Sequence, residues 1–225
     1  MQSQRLTLQR LACDADLVLD LNGDFEAVEH LYTTPEAWPH VEPLARYLGA
    51  QASLLATDSG GQSFDECLSL VWWQLQQRFG KRFPIPLGSV SVTVELRGQA
   101  DVSHELASKD SQAILDYLTH AGVIEGPAAA LPPLPHPATP LAAVEPVSAP
   151  LGGLLVYHVR PGQHLEAGQL IAEVIDPLTD RVTAVRNSQP GLLYARSVRR
   201  MATAGMVIAH VAGEQVCRSG YLLAN

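Results

Sequence analysis

Lysine is nearly missing from this sequence. Only Lys81 and Lys109 occur in 225 residues, and 15 lysines and arginines together face 23 acidic side chains, for a formal charge of -8. At a pI near 5.4 the chain lacks the clustered cations that displace counterions from phosphates, which excludes sequence-blind nucleic-acid binding. Long apolar runs are missing as well. Residues 128–131 and 151–156 are among the longest, far short of the roughly 20 residues that cross a bilayer. The opening stretch MQSQRLTLQRLACDAD has no apolar core of the kind a secretory signal carries, so a cytoplasmic location is expected. Cysteine is scarce: Cys13, Cys67 and Cys217 are odd in number and scattered without a metal-ligand spacing, which predicts reduced, buried thiols.

What is present divides into three. Six prolines fall within GPAAALPPLPHPATP, residues 126–140, and proline fixes φ and removes a backbone donor, so 126–143 reads as an extended Pro/Ala-rich linker. Before it, over 1–125, helix and strand signals alternate. Residues 3–13 and 35–48 read as helices, the second closed by Gly49 as a C-cap. Ser63-Phe64-Asp65-Glu66 forms a capping box ahead of CLSLVWWQLQQRF, which opens another helix. Residues 16–21 and 89–96 read as strands and 108–121 as a helix. Strands separated by helices imply an α/β fold with a largely parallel sheet, and ligands in such sheets bind at the carboxyl ends of strands. Asn22 and Glu95 occupy those ends.

After the linker, over 144–225, short strands and glycine turns take over and an internal repeat appears. Gly153-Leu-Leu returns as Gly191-Leu-Leu, and AGQLIAEV from Ala167 returns as AGMVIAHV from Ala204, with five of eight positions identical. Two such half-units predict a small pseudo-symmetric β-barrel, and the pattern resembles the biotinyl/lipoyl carrier fold. A working carrier presents a lysine for its prosthetic group. No lysine follows Lys109, so the carrier function is excluded.

Polar side chains crowd the end of the first strand: Asp20, Asn22, Asp24, Glu26, Glu29 and His30. Asp20, Asn22 and Asp24 imitate the first ligands of an EF-hand, but Phe25 stands where that loop needs Gly and Leu31 where it needs Glu. Glu26 and His30 would share a face only if the segment were helical. Asp20, Asp24 and His30 form a weak alternative metal set, and the plain reading of the cluster is a solvated strand-end loop. Glu95 read alone is a strand-end carboxylate paired with Arg97 or facing water, while Arg97 with Asp101 reads equally as a structural ion pair.

Asp20-Leu21, His30-Leu-Tyr-Thr33 and Thr93-Val-Glu-Leu-Arg-Gly98, ahead of a lipoyl-like β-region, resemble the succinylglutamate desuccinylase/aspartoacylase family of zinc hydrolases with a carboxypeptidase-like fold. The resemblance covers nearly the whole chain and matches the later part of a usual family member. It implies that residues 1–125 are a partial zinc-peptidase-like domain, and that the activity is removal of an acyl group such as succinyl or acetyl from an N-acylated amino acid.

In the family, zinc is held by an early His-x-x-Glu and by the His of Asp-Leu-His, and it lowers the pKa of a bound water that attacks the amide. A glutamate at a later strand end moves the proton, and Glu95 matches it. Asn22 stands where the third ligand would be, and no His-x-x-Glu occurs in the residues before Asp20. The resemblance therefore implies zinc for the family and an incomplete zinc site for this chain alone. A second expectation is a catalytically silent remnant that binds a small molecule or a protein. A parallel sheet without early strands would expose an edge, so self-association or a complementing chain is also expected.

Overall fold

The computed structural model describes residues 2–61 and 63–223. The elements of the first region run α1 (Gln2–Ala12), β1 (Leu17–Asp24), β2 (Glu26–Ala27), β3 (Glu29–Thr33), α2 (Trp38–Leu48), β4 (Ala52–Leu55), α3 (Phe64–Phe79), β5 (Val90–Gly98) and α4 (His104–His120). Strand β6 (Thr139–Pro140) then adds an edge, giving a mixed sheet in the order β1-β5-β3-β4-β6. The pairs β1/β5, β3/β4 and β4/β6 are parallel, as expected, but β3 runs antiparallel to β5. No described helix is long and apolar enough to cross a membrane.

Alternation along the central strands decides what each face meets. In β5, Val92 and Val94 join Leu31 of β3 in a core with Val41, Leu44 and Leu48 of α2 and Ala113 and Tyr117 of α4. The intervening Thr93 and Glu95, with Tyr32 of β3, face the opposite way into a cavity. The two-residue period of a strand thus separates core from site.

Local signals account for the helix ends. Gly49 adopts φ 75° and donates its N–H to Ala45 O and Arg46 O, the left-handed cap that glycine takes without strain. Helix α4 starts four residues ahead of the predicted start because Ser103 Oγ accepts from Leu106 N at 3.1 Å. Helix α3 opens after Ser63 as predicted, yet Ser63 makes no side-chain cap bond. Glu66 instead turns to Ser59, accepting from its N–H at 2.9 Å and its hydroxyl at 2.8 Å.

The linker is docked rather than free. Tyr47 OH donates to Ala129 O at 2.7 Å and Arg46 Nη1 to Pro132 O at 3.2 Å, before β6 pairs with Leu54 and Leu55. The remaining strands are β7 (Val144–Ser148), β8 (Gly153–Tyr157), β9 (His164–Leu165), β10 (Leu170–Ile175), β11 (Val182–Arg186), β12 (Gly191–Arg196), β13 (Met201–Ala202) and β14 (Val207–Ala212). They form the sheets β11-β10-β8-β13 and β2-β12-β14-β7, with a core that includes Leu155, Ile171, Val174, Leu193, Ile208 and Val211.

The repeat seen in the sequence is real in space: β8 pairs antiparallel with β10 as β12 does with β14. The expected closed barrel is not found; the strands form two open sheets. One edge of β12, at Ala195 and Arg196, is taken by Ala27 and Glu26 of β2, so the first region supplies a strand that a self-contained barrel would have supplied itself.

The repeated glycines have two separate reasons. A Cβ on Gly153 would lie 2.4 Å from Ile175 O, and one on Gly191 would lie 2.4 Å from Ala212 O, the same cross-strand approach in each unit. Gly168 and Gly205 sit in open space but at φ 76° and 81°. Gly168→Ala and Gly205→Ala are each expected to cost about 1–2 kcal/mol, the penalty for a left-handed L-residue. Urea melts of the two variants that differed from each other by more than that amount would contradict the structural equivalence of the turns.

Candidate functional site

The parallel register brings the two predicted strand ends together, with Asn22 directly opposite Glu95. Beyond that pair the register shifts, and Asp24 stands opposite Gly98. Arg97, in the extra length of β5, takes φ 75°, a conformation that costs a non-glycine residue energy and marks strained, often functional, backbone. Its side chain pairs with Glu29 and Asp110, with Lys109 Nζ 3.4 Å from Glu29. The sequence-based pairing of Arg97 with Asp101 or Glu95 is thus corrected: Asp101 instead accepts from Gly98 N at 3.0 Å.

Glu95 is therefore left without a cation. Its Oε2 is buried and unpartnered among the described residues. Burial first, then the negative charges of Asp24 and Asp20, push its carboxyl up to about 7. It lines a cavity of about 320 Å³ with Asp24, Tyr32, Asp65, His210 and Arg218. A neighbouring cavity of about 610 Å³ shares Asp24 and His210 as its wall.

Desolvation also shifts Asp65, His210 and the two tyrosines of the cavity toward their neutral forms. Asp65 is buried at the start of α3, and burial raises it to about 6. His210 is pushed down to about 4 by burial, and its Nδ1 has no partner among the described residues. Tyr194 is fully buried between two imidazoles, its ring centroid 4.8 Å from His30 and 5.8 Å from His210. Burial raises the phenols of Tyr32 and Tyr194, whose hydroxyls lie 3.4 Å apart.

The strand-end cluster is not the solvated loop that its composition suggests. His30 is 1% exposed and Glu29 7%. Residues 17–24 form a strand, which rules out a calcium loop, and Glu26 is not on a helix with His30 but in β2, bonded to Arg196 Nε and Arg200 Nη2 at 2.5 Å each. His30 Nδ1 donates to Val28 O at 2.8 Å, burial holds the ring neutral, and Nε2 faces Asp24 Oδ2 at 3.8 Å. The thiols expected to be buried are not: Cys13 and Cys217 are exposed.

Of the residues singled out in the sequence, Glu95 and Asp24 meet in the cavity, Asp20 acts on Glu95 through its charge, and Asn22 is exposed with its amide near its own strand at Asp20 O, 3.4 Å away. Sequence reasoning missed Asp65, Tyr194, His210 and Arg218. A signal existed for one of them: His210 stands in the repeat where the other unit has Glu173, and Glu173 lies on the surface bonded to His158 at 3.0 Å.

Neither a protein-family model nor a curated protein matches the sequence. Solved structures do match. A succinylglutamate desuccinylase/aspartoacylase family protein from Shewanella amazonensis SB2B is 25% identical, with TM-score 0.78 over 92% of this chain and 57% of its own. A second from Shewanella frigidimarina NCIMB 400 is 23% identical, with TM-score 0.75 over 93% of this chain and 55% of its own. The ectoine utilization protein EutE (DoeB) from Ruegeria pomeroyi, 18% identical, gives TM-score 0.66 over 94% and 63%. The chain has the fold of these proteins and spans little more than half the length of the first two.

Proposed function

We propose that this chain handles N-acylated amino acids, with Glu95 moving the proton when an acyl group such as acetyl or succinyl is removed. The observation that supports this reading is Glu95 itself: an unpaired carboxyl raised to about 7 at the adjoining ends of two parallel strands. A general acid/base works best when its pKa lies near the operating pH. Ionised Glu95 takes a proton from water as the oxygen bonds to the acyl carbon. Protonated Glu95 then gives that proton to the amide nitrogen as the carbon–nitrogen bond breaks, leaving the acyl acid and a free amine. Leu141 and Leu222 line the same cavity and supply apolar contact for an acyl chain, while the protonated hydroxyls of Tyr32 and Tyr194 keep donors available to it.

Zinc, which the resemblance implies, does not fit the residues present. Asn22, which the resemblance sets where the family has an imidazole, is exposed and turns its amide to its own strand. Among the described residues no group of three or more His, Cys, Asp or Glu side chains is arranged to hold a metal. His30, the nearest candidate, spends Nδ1 on Val28 O and meets Asp24 without further support. The chemistry proposed for this chain is accordingly substrate holding and proton transfer.

Isothermal titration with N-acetyl and N-succinyl amino acids tests the reading. Saturable binding is expected, tightening as pH falls from 8 to 6, because protonation of Glu95 removes a negative charge that faces an anionic ligand. Glu95→Gln should abolish the step near pH 7 and leave the smaller one near 6 that Asp65 contributes. No saturable binding of any such compound would sink the proposal.

A further inference from the structure

Arginine use around the cavity is uneven. Arg97 is paired with Glu29 and Asp110, and Arg196 and Arg200 are both bonded to Glu26. Arg218, which lines the cavity itself, forms no ion pair among the described residues. Two of its five donors reach main-chain carbonyls, Nη1 to Leu222 O at 3.0 Å and Nη2 to Leu141 O at 3.3 Å, and its Nε is buried without a partner. Three carboxylates, Asp24, Asp65 and Glu95, line the same cavity, and none takes the guanidinium. A buried N–H with no acceptor is costly unless something supplies one.

We infer that Arg218 is the carboxylate-binding residue of this cavity, holding the free carboxylate of an N-acyl amino acid while its amide lies toward Glu95. The inference rests on the reading of the cavity given above. Its basis is the pairing pattern: a permanently charged fork matches a carboxylate through parallel N–H donors, and Arg218 is the one Lys or Arg among the residues that line this cavity. The carbonyl bonds to Leu141 and Leu222 hold the guanidinium at the wall and leave its remaining donors for a ligand. Such a group discriminates a carboxylate from the corresponding neutral amide, which offers no charge to pair with.

The test uses three probes on the full chain: N-acetylglycine, its primary amide N-acetylglycinamide, and acetate. N-acetylglycine is expected to bind at least tenfold more tightly than the amide. Arg218→Gln should erase that difference, and Arg218→Lys should keep part of it. Because Arg218 also ties two segments together, the 15N–1H signal of its Nε is followed in the unaltered protein, where N-acetylglycine should shift it and N-acetylglycinamide should not.

Equal binding of acid and amide, an unmoved Nε signal, or discrimination that persists in a folded Arg218→Gln variant would overturn the role of Arg218 and leave the acyl amino acid reading standing. Binding of acetate but of neither acetylated compound, lost in Arg218→Gln, would keep Arg218 as an anion site and remove the acyl amino acid reading. No binding of any probe would overturn both.

Discussion

Glu95→Gln is expected to make the protein more stable at pH 8 and to leave its stability nearly unchanged at pH 5. The folded protein raises the Glu95 carboxyl from 4.5 to about 7, so between those values the native state binds a proton that the unfolded chain has released. Stability from this group is present in full below about 4.5, declines as pH rises, and is lost once pH passes 7. Glutamine carries no charge at either pH and escapes the loss. A shift of this size converts to several kcal/mol for a dry group; Glu95 keeps partial solvent contact, and screening brings the expected gain down to about 1–2 kcal/mol. Denaturant melts at the two pH values check it. A variant less stable than the parent at pH 8 would show that Glu95 makes a favourable native interaction as a carboxylate. A stabilising substitution at a working residue is the usual sign of a site held in an unfavourable state for its chemistry.

Arg97→Ala is expected to have the largest destabilising effect, about 3–5 kcal/mol. The three side chains of the Glu29-Arg97-Asp110 set are between 9% and 13% exposed, and Lys109, at 55% exposed, cannot replace a cation held between two buried carboxylates. Removing the guanidinium leaves both acids facing each other in a poorly solvated space. The backbone adds nothing in compensation, since alanine at φ 75° remains strained. Arg97→Gly relieves the strain and should recover about 1 kcal/mol of the loss. The same residue anchors the irregular end of β5, so the Glu95 signal is expected to shift in Arg97→Gly even where the fold survives. A cost below about 1 kcal/mol for Arg97→Ala would mean that the two carboxylates are already protonated or solvated.

Much of the architecture could be read from patterns of short range. The alternating run of β5, the glycine cap of α2 and the repeated β-hairpins depend on neighbours in sequence, and the parallel pairing of β1 with β5 places Asn22 against Glu95 as their strand-end positions implied. What could not be read depends on partners far along the chain. Glu29 and His30 look like surface residues because they are polar, and only the arrival of Arg97, Asp110 and Tyr194 from distant segments makes them interior. The antiparallel seam between β3 and β5 is likewise set by tertiary packing.

The second region shows the same limit from the other side. Its repeat fixed the paired hairpins, but the strand β2 that adds to β12 comes from outside the repeat, so no internal symmetry could announce an open sheet. His210 was legible in principle, as the member of a repeated pair whose counterpart, Glu173, lies on the surface. Arg218 belongs to no repeat and no regular element, and Asp65 carries the same letter as any acidic residue in a first helical turn. Their place at the cavity follows from packing of the two regions against one another.

The proposed proton transfer depends on Glu95, and a 13C titration of its side-chain carboxyl measures that group most directly. A midpoint near 7, moving on addition of N-acetylglycine, is the predicted result. A midpoint between about 4 and 5, the range of a solvated glutamate, would contradict it, because Glu95 would then be an ordinary solvated carboxylate without the pKa near the operating pH that supports its role as general base and acid.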